Sequence, residues 1–197
     1  MHLRNKKGYG WAARQIPSLP FSCQHSKIQI YSGNLSGFRK SCKVVCYYMD
    51  IQQITQNKER FMELLLLGDE QESMVQKYLT HSSLYVLMEP GIAYGICAVT
   101  DAGSQIAEIK NLAILPAFQR LGYGTILVQY VLTQLRRQGF TYVQLGTGET
   151  PGTLAFYQKL GFQPCGRIPD FFTLHYDHPI IEEGVQLKDM IYLGQPL

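Results

Sequence analysis

The stretch Gln119-Arg120-Leu121-Gly122-Tyr123-Gly124 joins two segments of different period. Before it, "QIAEIKNLAIL" reads as a strand. After it, Gly124, Leu127, Val128, Val131, Leu132 and Leu135 follow the i, i+3, i+4, i+7 spacing of a helix face. Arg136 and Arg137 suit the helix's C-terminal dipole, and Gly139 ends it. A strand that turns into a helix through two glycines and an arginine leaves unpaired N–H groups at the helix start. Such a turn can cradle an anion, with Arg120 adding a charge-assisted contact. It can equally let a helix pack closely on a sheet. Two nucleotide loops are excluded by their residues. No Gly-Lys-Ser/Thr exists for a P-loop, and the dinucleotide pattern sought in "GTGETP" meets Pro151 at its third glycine, although Asp170 lies at a suggestive distance.

The surrounding pattern is α/β. "MDIQQIT", "SLYVLME", "GIAYGICAVT" and the strand before the loop read as β, with hairpin breaks at Glu89–Gly91 and Asp101–Gly103. "NKERFMELLLL" and "ESMVQKYL" read as amphipathic helices. After the glycine helix come a short strand "TYVQLG", a helix with Thr150 as N-cap and Pro151 in its first position, and the last strands "FQPCGRI" and "VQLKDMIYL". Hairpins followed by a strand–helix–strand–helix–strand unit predict a mixed sheet with helices on both faces.

Charge divides the chain. Residues 1–48 hold eight Lys or Arg and no acidic residue, whereas 49–197 hold ten basic and fifteen acidic residues. The expectation is a domain over 49–197, beginning near Met49, preceded by a basic extension that is disordered or not native to the chain. An acidic domain argues against a nucleic-acid partner and suits a cationic or neutral substrate. No apolar run reaches the roughly 20 residues of a membrane span, so no membrane partner is expected. The five cysteines are scattered, and Cys42 and Cys46 have no second pair or His pair at zinc spacing. A reducing, cytoplasmic setting without a metal site follows. His175 and His178 read as surface residues of a polar loop.

"NLAILPAFQRLGYG" resembles motif A of the GNAT superfamily of acyl-CoA-dependent N-acyltransferases, and "TLAFYQKLGF" is similar to its second signature, a helix with a tyrosine just ahead of Gly-Phe. The resemblance spans about residues 49–197, and the tail from Asp170 to Leu193 looks like a bacterial branch of small enzymes with uncharacterised substrates. It implies a GNAT-like fold: a central, mostly antiparallel sheet of about six to seven strands with helices on both faces. It also implies acetyl-CoA as co-substrate. The pyrophosphate would lie on Gln119, Arg120, Leu121, Gly122, Tyr123, Gly124 and Thr125. The pantetheine arm would pair with the backbone of Leu112, Ala113 and Ile114, in a cleft left by a diverging neighbour strand. Many members carry an asparagine before the tyrosine helix; "GTGETPG" has none.

Acyl transfer to an amine needs a neutral nucleophile, a polarised carbonyl and a protonated leaving thiolate. An alkylamine resembles lysine, with a pKa near 10, so a proton acceptor helps at neutral pH. The resemblance points to Glu108 as that base; the other reading is a solvated carboxylate paired with Lys110. Strict alternation puts Glu108, Lys110, Leu112 and Ile114 on one face of the strand and Ala107, Ile109, Asn111 and Ala113 on the other. Backbone N–H groups near Leu112 would polarise the carbonyl. Tyr157, turned from a core stripe of Phe156 and Leu160 toward the cleft edge, is the general-acid candidate, or a packing tyrosine. Asp170, Phe172 and Tyr176 are candidate acceptor-pocket residues, since carboxylates beside aromatics suit an ammonium or polyamine-like group; a solvated acidic hairpin is the alternative. The expected activity is direct transfer to a primary amine of a small molecule or peptide. The rivals are a non-catalytic acetyl-CoA sensor and an inactive interaction protein. Homodimerisation through the last strands stays open.

Overall fold

The computed structural model describes residues 26–29, 48–89 and 91–197. Cys42, Cys46 and Pro90 lie outside the described residues, as does most of the basic extension. One short piece of that extension, Ser26–Gln29, forms strand β1. It pairs antiparallel with β2 (Tyr48–Ile54), the strand predicted from "MDIQQIT".

A 3-10 turn, Lys58–Phe61, leads into α1 (Met62–Leu65), and α2 follows at Glu72–Leu79. The single helix expected over "NKERFMELLLL" is thus a 3-10 turn plus one α turn. Strands β3 (Ser83–Glu89), β4 (Ile92–Asp101) and β5 (Ile106–Ile114) form the predicted meander. Asp101 accepts a 2.7 Å bond from the Gly103 amide in the second turn, where Gly103, Ser104 and Gln105 all have positive φ. Helix α3 (Tyr123–Arg137), β6 (Tyr142–Gly148), α4 (Pro151–Lys159) and β7 (Gln163–Ile168) complete the crossover unit. The end of the chain holds α5 (Phe171–His175), a two-stranded hairpin of β8 (Ile181–Glu182) and β9 (Val185–Gln186), and β10 (Met190–Pro196). "VQLKDMIYL" is therefore two strands in different sheets, because Leu187 turns into a small core with Phe172 and Ile180.

The main sheet has the order β1-β2-β3-β4-β5-β6-β10-β7. Among the described residues, its only parallel neighbours are β5 and β6, and every other pairing is antiparallel. One face packs Leu127, Val128, Val131, Leu132 and Leu135 of α3 and Tyr157 of α4 against β4, β5 and β6. The other packs Leu64, Leu65, Val75, Tyr78 and Leu79 of α1 and α2 against β3 and β4. Helices thus cover both faces, as the pattern required. Among the described residues, no helix is long and apolar enough to cross a membrane.

Lys58 fixes the α1–α2 lobe. It is buried, and its ammonium donates to the carbonyls of Leu79 at 3.1 Å and Thr80 at 3.0 Å, and to that of Ser82. These are orphan carbonyls at and beyond the end of α2, where a cation is favoured. Lys58→Met is expected to lower unfolding free energy by about 2 kcal/mol or more, the cost of leaving such acceptors bare. Urea denaturation reads this directly; an unchanged midpoint would mean that water replaces the ammonium at no cost.

Candidate active site

The site begins with one extra residue. Ala98 of β4 pairs with Asn111, but its neighbour Val99 pairs with Ile109, so Lys110 has no opposite number. This β-bulge exchanges the faces of β5. Ala107 and Ile109 belong to the α3-side core, and past the bulge Leu112 and Ile114 pack there too. Asn111 and Ala113 turn to the α1–α2 side, where Asn111 donates 2.9 Å bonds to the Leu65 carbonyl and the Tyr78 hydroxyl. Strict alternation therefore fails at Lys110: Glu108 shares its face with Asn111 and Ala113, not with Leu112 and Ile114. Beyond the bulge β5 also leaves β6. Their pairing stops at Ile109–Leu145, although β5 runs on to Ile114 and β6 to Gly148. The sheet is split there.

At the end of that split lies the glycine turn. Arg120 and Gly122 are left-handed, with φ of 60° and 89°, and Gly122 is the N-cap of α3. No side chain caps the helix and no acidic residue stands in its first turn. The first helical bond runs from the Ile126 amide to the Gly122 carbonyl, so the amides of Tyr123, Gly124 and Thr125 lack helical partners. Gln119 ties the loop back, its side-chain amide donating to the Ile114 carbonyl at 3.0 Å. Tyr123 stacks on Tyr94, which packs against Phe118 at 4.4 Å between ring centroids. The two glycines have different reasons. Gly124 serves packing: a Cβ there would stand 3.3 Å from the Phe156 ring. Gly122 serves the turn, with open space around it and a conformation that side chains disfavour. An uncapped helix start with free amides and an arginine can hold a diphosphate, and the β5 edge from Leu112 to Ile114, past its pairing with β6, can hold an extended amide-bearing arm.

On the α2 side, the split opens into a cavity of about 390 Å³. Its lining includes Glu108, Gly146, Thr147 and Gly148 from the sheet, Asp69 and Tyr78 from the α1–α2 lobe, and Phe172, Tyr176 and Glu182 from the segment after β7. Glu108 is only 13% exposed at its side chain. It takes bonds from Lys110 at 2.8 Å, from the Tyr192 hydroxyl at 3.1 Å and from Gln144 at 3.5 Å. Burial and the Glu108 charge push the Tyr192 hydroxyl up to about 12, so it remains a donor. Asp69 accepts from the Tyr176 hydroxyl at 3.1 Å across the cavity mouth. Burial raises the Asp69 carboxyl above the usual range, against that bond.

Phe172 and Tyr176 thus line the cavity. Asp170 does not: it begins α5 in a left-handed conformation, and its amide donates to Asp189 at 3.0 Å. Tyr157 lies on the other side of the sheet. It is the buried residue of α4, at 8% exposure, between Phe156 and Phe162 with ring centroids 5.0 and 5.7 Å away. Phe156 and Leu160 do pack against the α3-side core, part-buried, with the Phe156 ring against Gly124, but Tyr157 joins them there and does not turn toward a cleft edge. Burial, then the Cys97 and Glu182 charges, hold the Tyr157 hydroxyl well above its ordinary value. Thr150 stands at the N-cap of α4 without a side-chain cap bond; Glu183 accepts instead from the Gly152 amide at 3.2 Å. Asp69 and Tyr78, which line the cavity, escaped the sequence reading. The Gly68–Asp69 break between two helices was the available signal for the first.

The sheet thus splits beyond its β5–β6 pairing, with an uncapped helix start at one end and a carboxylate-bearing cavity on one face. The chain belongs to the Acetyltransferase (GNAT) family, whose sequence pattern matches residues 51–162. It is similar to an uncharacterized N-acetyltransferase of Bacillus subtilis (strain 168), YvbK, at 31% identity over 139 residues, 70% of this chain and 90% of that protein. A GNAT family acetyltransferase of Elizabethkingia anophelis, solved with acetyl-CoA bound, superposes with a TM-score of 0.72 at 31% identity, over 76% of this chain and 98% of the other. An IAA acetyltransferase from Bacillus cereus gives 0.71 at 31% identity, over 76% and 99%. The protein is an N-acetyltransferase with acetyl-CoA as co-substrate.

With acetyl-CoA at about 100 times Kd, the chain is expected to gain about 2.7 kcal/mol of native-state stability, read as a rise in Tm. Gly122→Ala forces a side chain into a left-handed conformation at about 1–2 kcal/mol, and at the same ligand concentration its gain should fall by half or more. An equal gain would show that the turn does not need Gly122.

Proposed function

We propose that the chain moves an acetyl group directly from acetyl-CoA to a primary amine of a small molecule or peptide, within a ternary complex. The arrangement of Glu108 and Tyr157 carries this reading. Glu108 lines the cavity on the α2 side of the split and Tyr157 belongs to the α3-side core, on opposite faces of the sheet. Bound acetyl-CoA supplies an acetyl group activated as a thioester.

The amine enters from the α2-side cavity. Glu108 takes its proton, directly or through a water, so that the nitrogen lone pair can form the new C–N bond. Tyr192, Gln144 and Lys110 orient that carboxylate. Amides of the β5 edge near Leu112 polarise the acetyl oxygen. As the C–S bond breaks, Tyr157 gives its proton to the sulfur; its burial keeps that proton in place until then. The diphosphate lies on the uncapped start of α3 with Arg120, and the pantetheine arm along Leu112–Ile114. Phe172 and Tyr176 form the acceptor wall. Asp170 acts through its contact with Asp189, which holds the start of α5. No nucleophile is placed for a covalent intermediate. Cys97 is buried, and burial pushes its thiol up to about 12, which leaves it inert. Free thiols at Cys97 and Cys165 suit a reducing, cytoplasmic setting.

An amine panel with thiol release as readout tests the reading. Tyr157→Phe is expected to lower kcat by about tenfold or more with acetyl-CoA still bound, the loss typical of general acid catalysis. Glu108→Gln should lower kcat by a similar factor. Unchanged turnover in either variant removes the role assigned to that residue. No transfer to any amine, with acetyl-CoA bound, would favour a sensor.

A further inference from the structure

The β8–β9 hairpin is inverted relative to what burial would select. Ile181 points outward, 60% exposed, while Glu182 beside it turns into the cavity. Large apolar residues are ordinarily inside and carboxylates outside. The cause is local. Glu183 adopts a left-handed conformation with φ 50° and places its carboxylate on the Gly152 amide at the start of α4. That contact docks the hairpin with Glu182 facing in.

Inside, Glu182 has no hydrogen bond or ion pair among the described residues. Its carboxyl is raised above the ordinary range by burial first, then by the neighbouring Glu70 and Glu183 charges. The cavity's own cations do not compensate it. Lys110 is bound to Glu108, and Lys77 rests against the Met74 sulfur on the exposed face of α2. His81 and His175 reach the cavity from exposed positions. Phe172 and Tyr176 line the same cavity, 5.6 Å apart between ring centroids, and the Glu182 charge is felt at Tyr176. An isolated inward carboxylate beside aromatic faces suits a cation.

That cation is not the reacting nitrogen, which must be neutral when it attacks, and Glu108 already serves it. We propose that Glu182 determines acceptor specificity by binding a second positive charge, so that the preferred acceptors are short aliphatic diamines or polyamine-like molecules, one end neutral at Glu108 and the other still charged at Glu182. This rests on the reading of the α2-side cavity as the acceptor site.

The test uses the full chain, acetyl-CoA and a matched series: α,ω-diaminoalkanes of three to six carbons against n-alkylamines of the same lengths. The best diamine should exceed its monoamine in kcat/KM by about tenfold or more, equivalent to about 1.4 kcal/mol, mainly through KM. The preference should weaken with added salt. Glu182→Gln, nearly isosteric, should bring the diamine-to-monoamine ratio close to one, and Glu182→Asp should restore part of it. The acetyl-CoA-induced rise in Tm reports that each variant is folded. Monoamines and diamines acetylated equally well, or a preference that survives Glu182→Gln, would overturn this inference and leave amine acetylation standing. No amine acetylated, with acetyl-CoA bound, would overturn both.

Discussion

The unmatched Lys110 in β5 governs what the rest of the molecule can do. A regular strand would keep β5 paired with β6 along its length and close the sheet. The bulge bends β5 and exchanges its faces, so that Leu112 and Ile114 join the α3 core while Asn111 and Ala113 face α1 and α2. Two consequences follow. Pairing with β6 stops at Ile109–Leu145, and a strand edge is left for an extended ligand. Glu108, on the near side of the bulge, is turned into the α2-side cavity and not toward α3.

The cavity side of this opening is assembled from parts far apart in sequence. Tyr176 reaches Asp69, and the Asp177 amide donates to the Gln71 side chain at 3.0 Å. His178 lies 3.6 Å from Glu70, and Glu183 caps α4. Burial and the Asp69 charge hold the Tyr176 hydroxyl far above its ordinary value, so it stays a donor in that clasp. Individually such exposed polar links contribute little. Together they set the position of α5 and the hairpin, and with it the width of the cavity and the direction of Glu182.

Much of this was legible in the sequence, for stated physical reasons. The turn at Gly122 and the apolar stripe of α3 carry strong local signals, and both stand where the pattern put them. Strand and helix periods placed β3, β4, β5 and α2 within a residue or so. What escaped was nonlocal. A bulge is invisible to a period of two, so Leu112 and Ile114 do not share the face of Glu108 as alternation required. Tyr157 is buried in the same core that Phe156 and Leu160 pack against, and the Phe156 ring also lies on a glycine 32 positions earlier. Thr150 looked like a cap, yet its hydroxyl is buried without a bond among the described residues, and the cap comes from Glu183. The last strand was split by Leu187, whose burial against Phe172 depends on tertiary packing.

Amide hydrogen exchange, followed residue by residue with and without acetyl-CoA, tests the central claim most directly. The account predicts that amides from Leu112 to Ile114 and those of Tyr123, Gly124 and Thr125 gain protection when acetyl-CoA binds, because the split edge of β5 and the uncapped start of α3 receive it. Protection gained elsewhere, with these two segments unchanged, would contradict the assignment of the split sheet as the seat of the reaction.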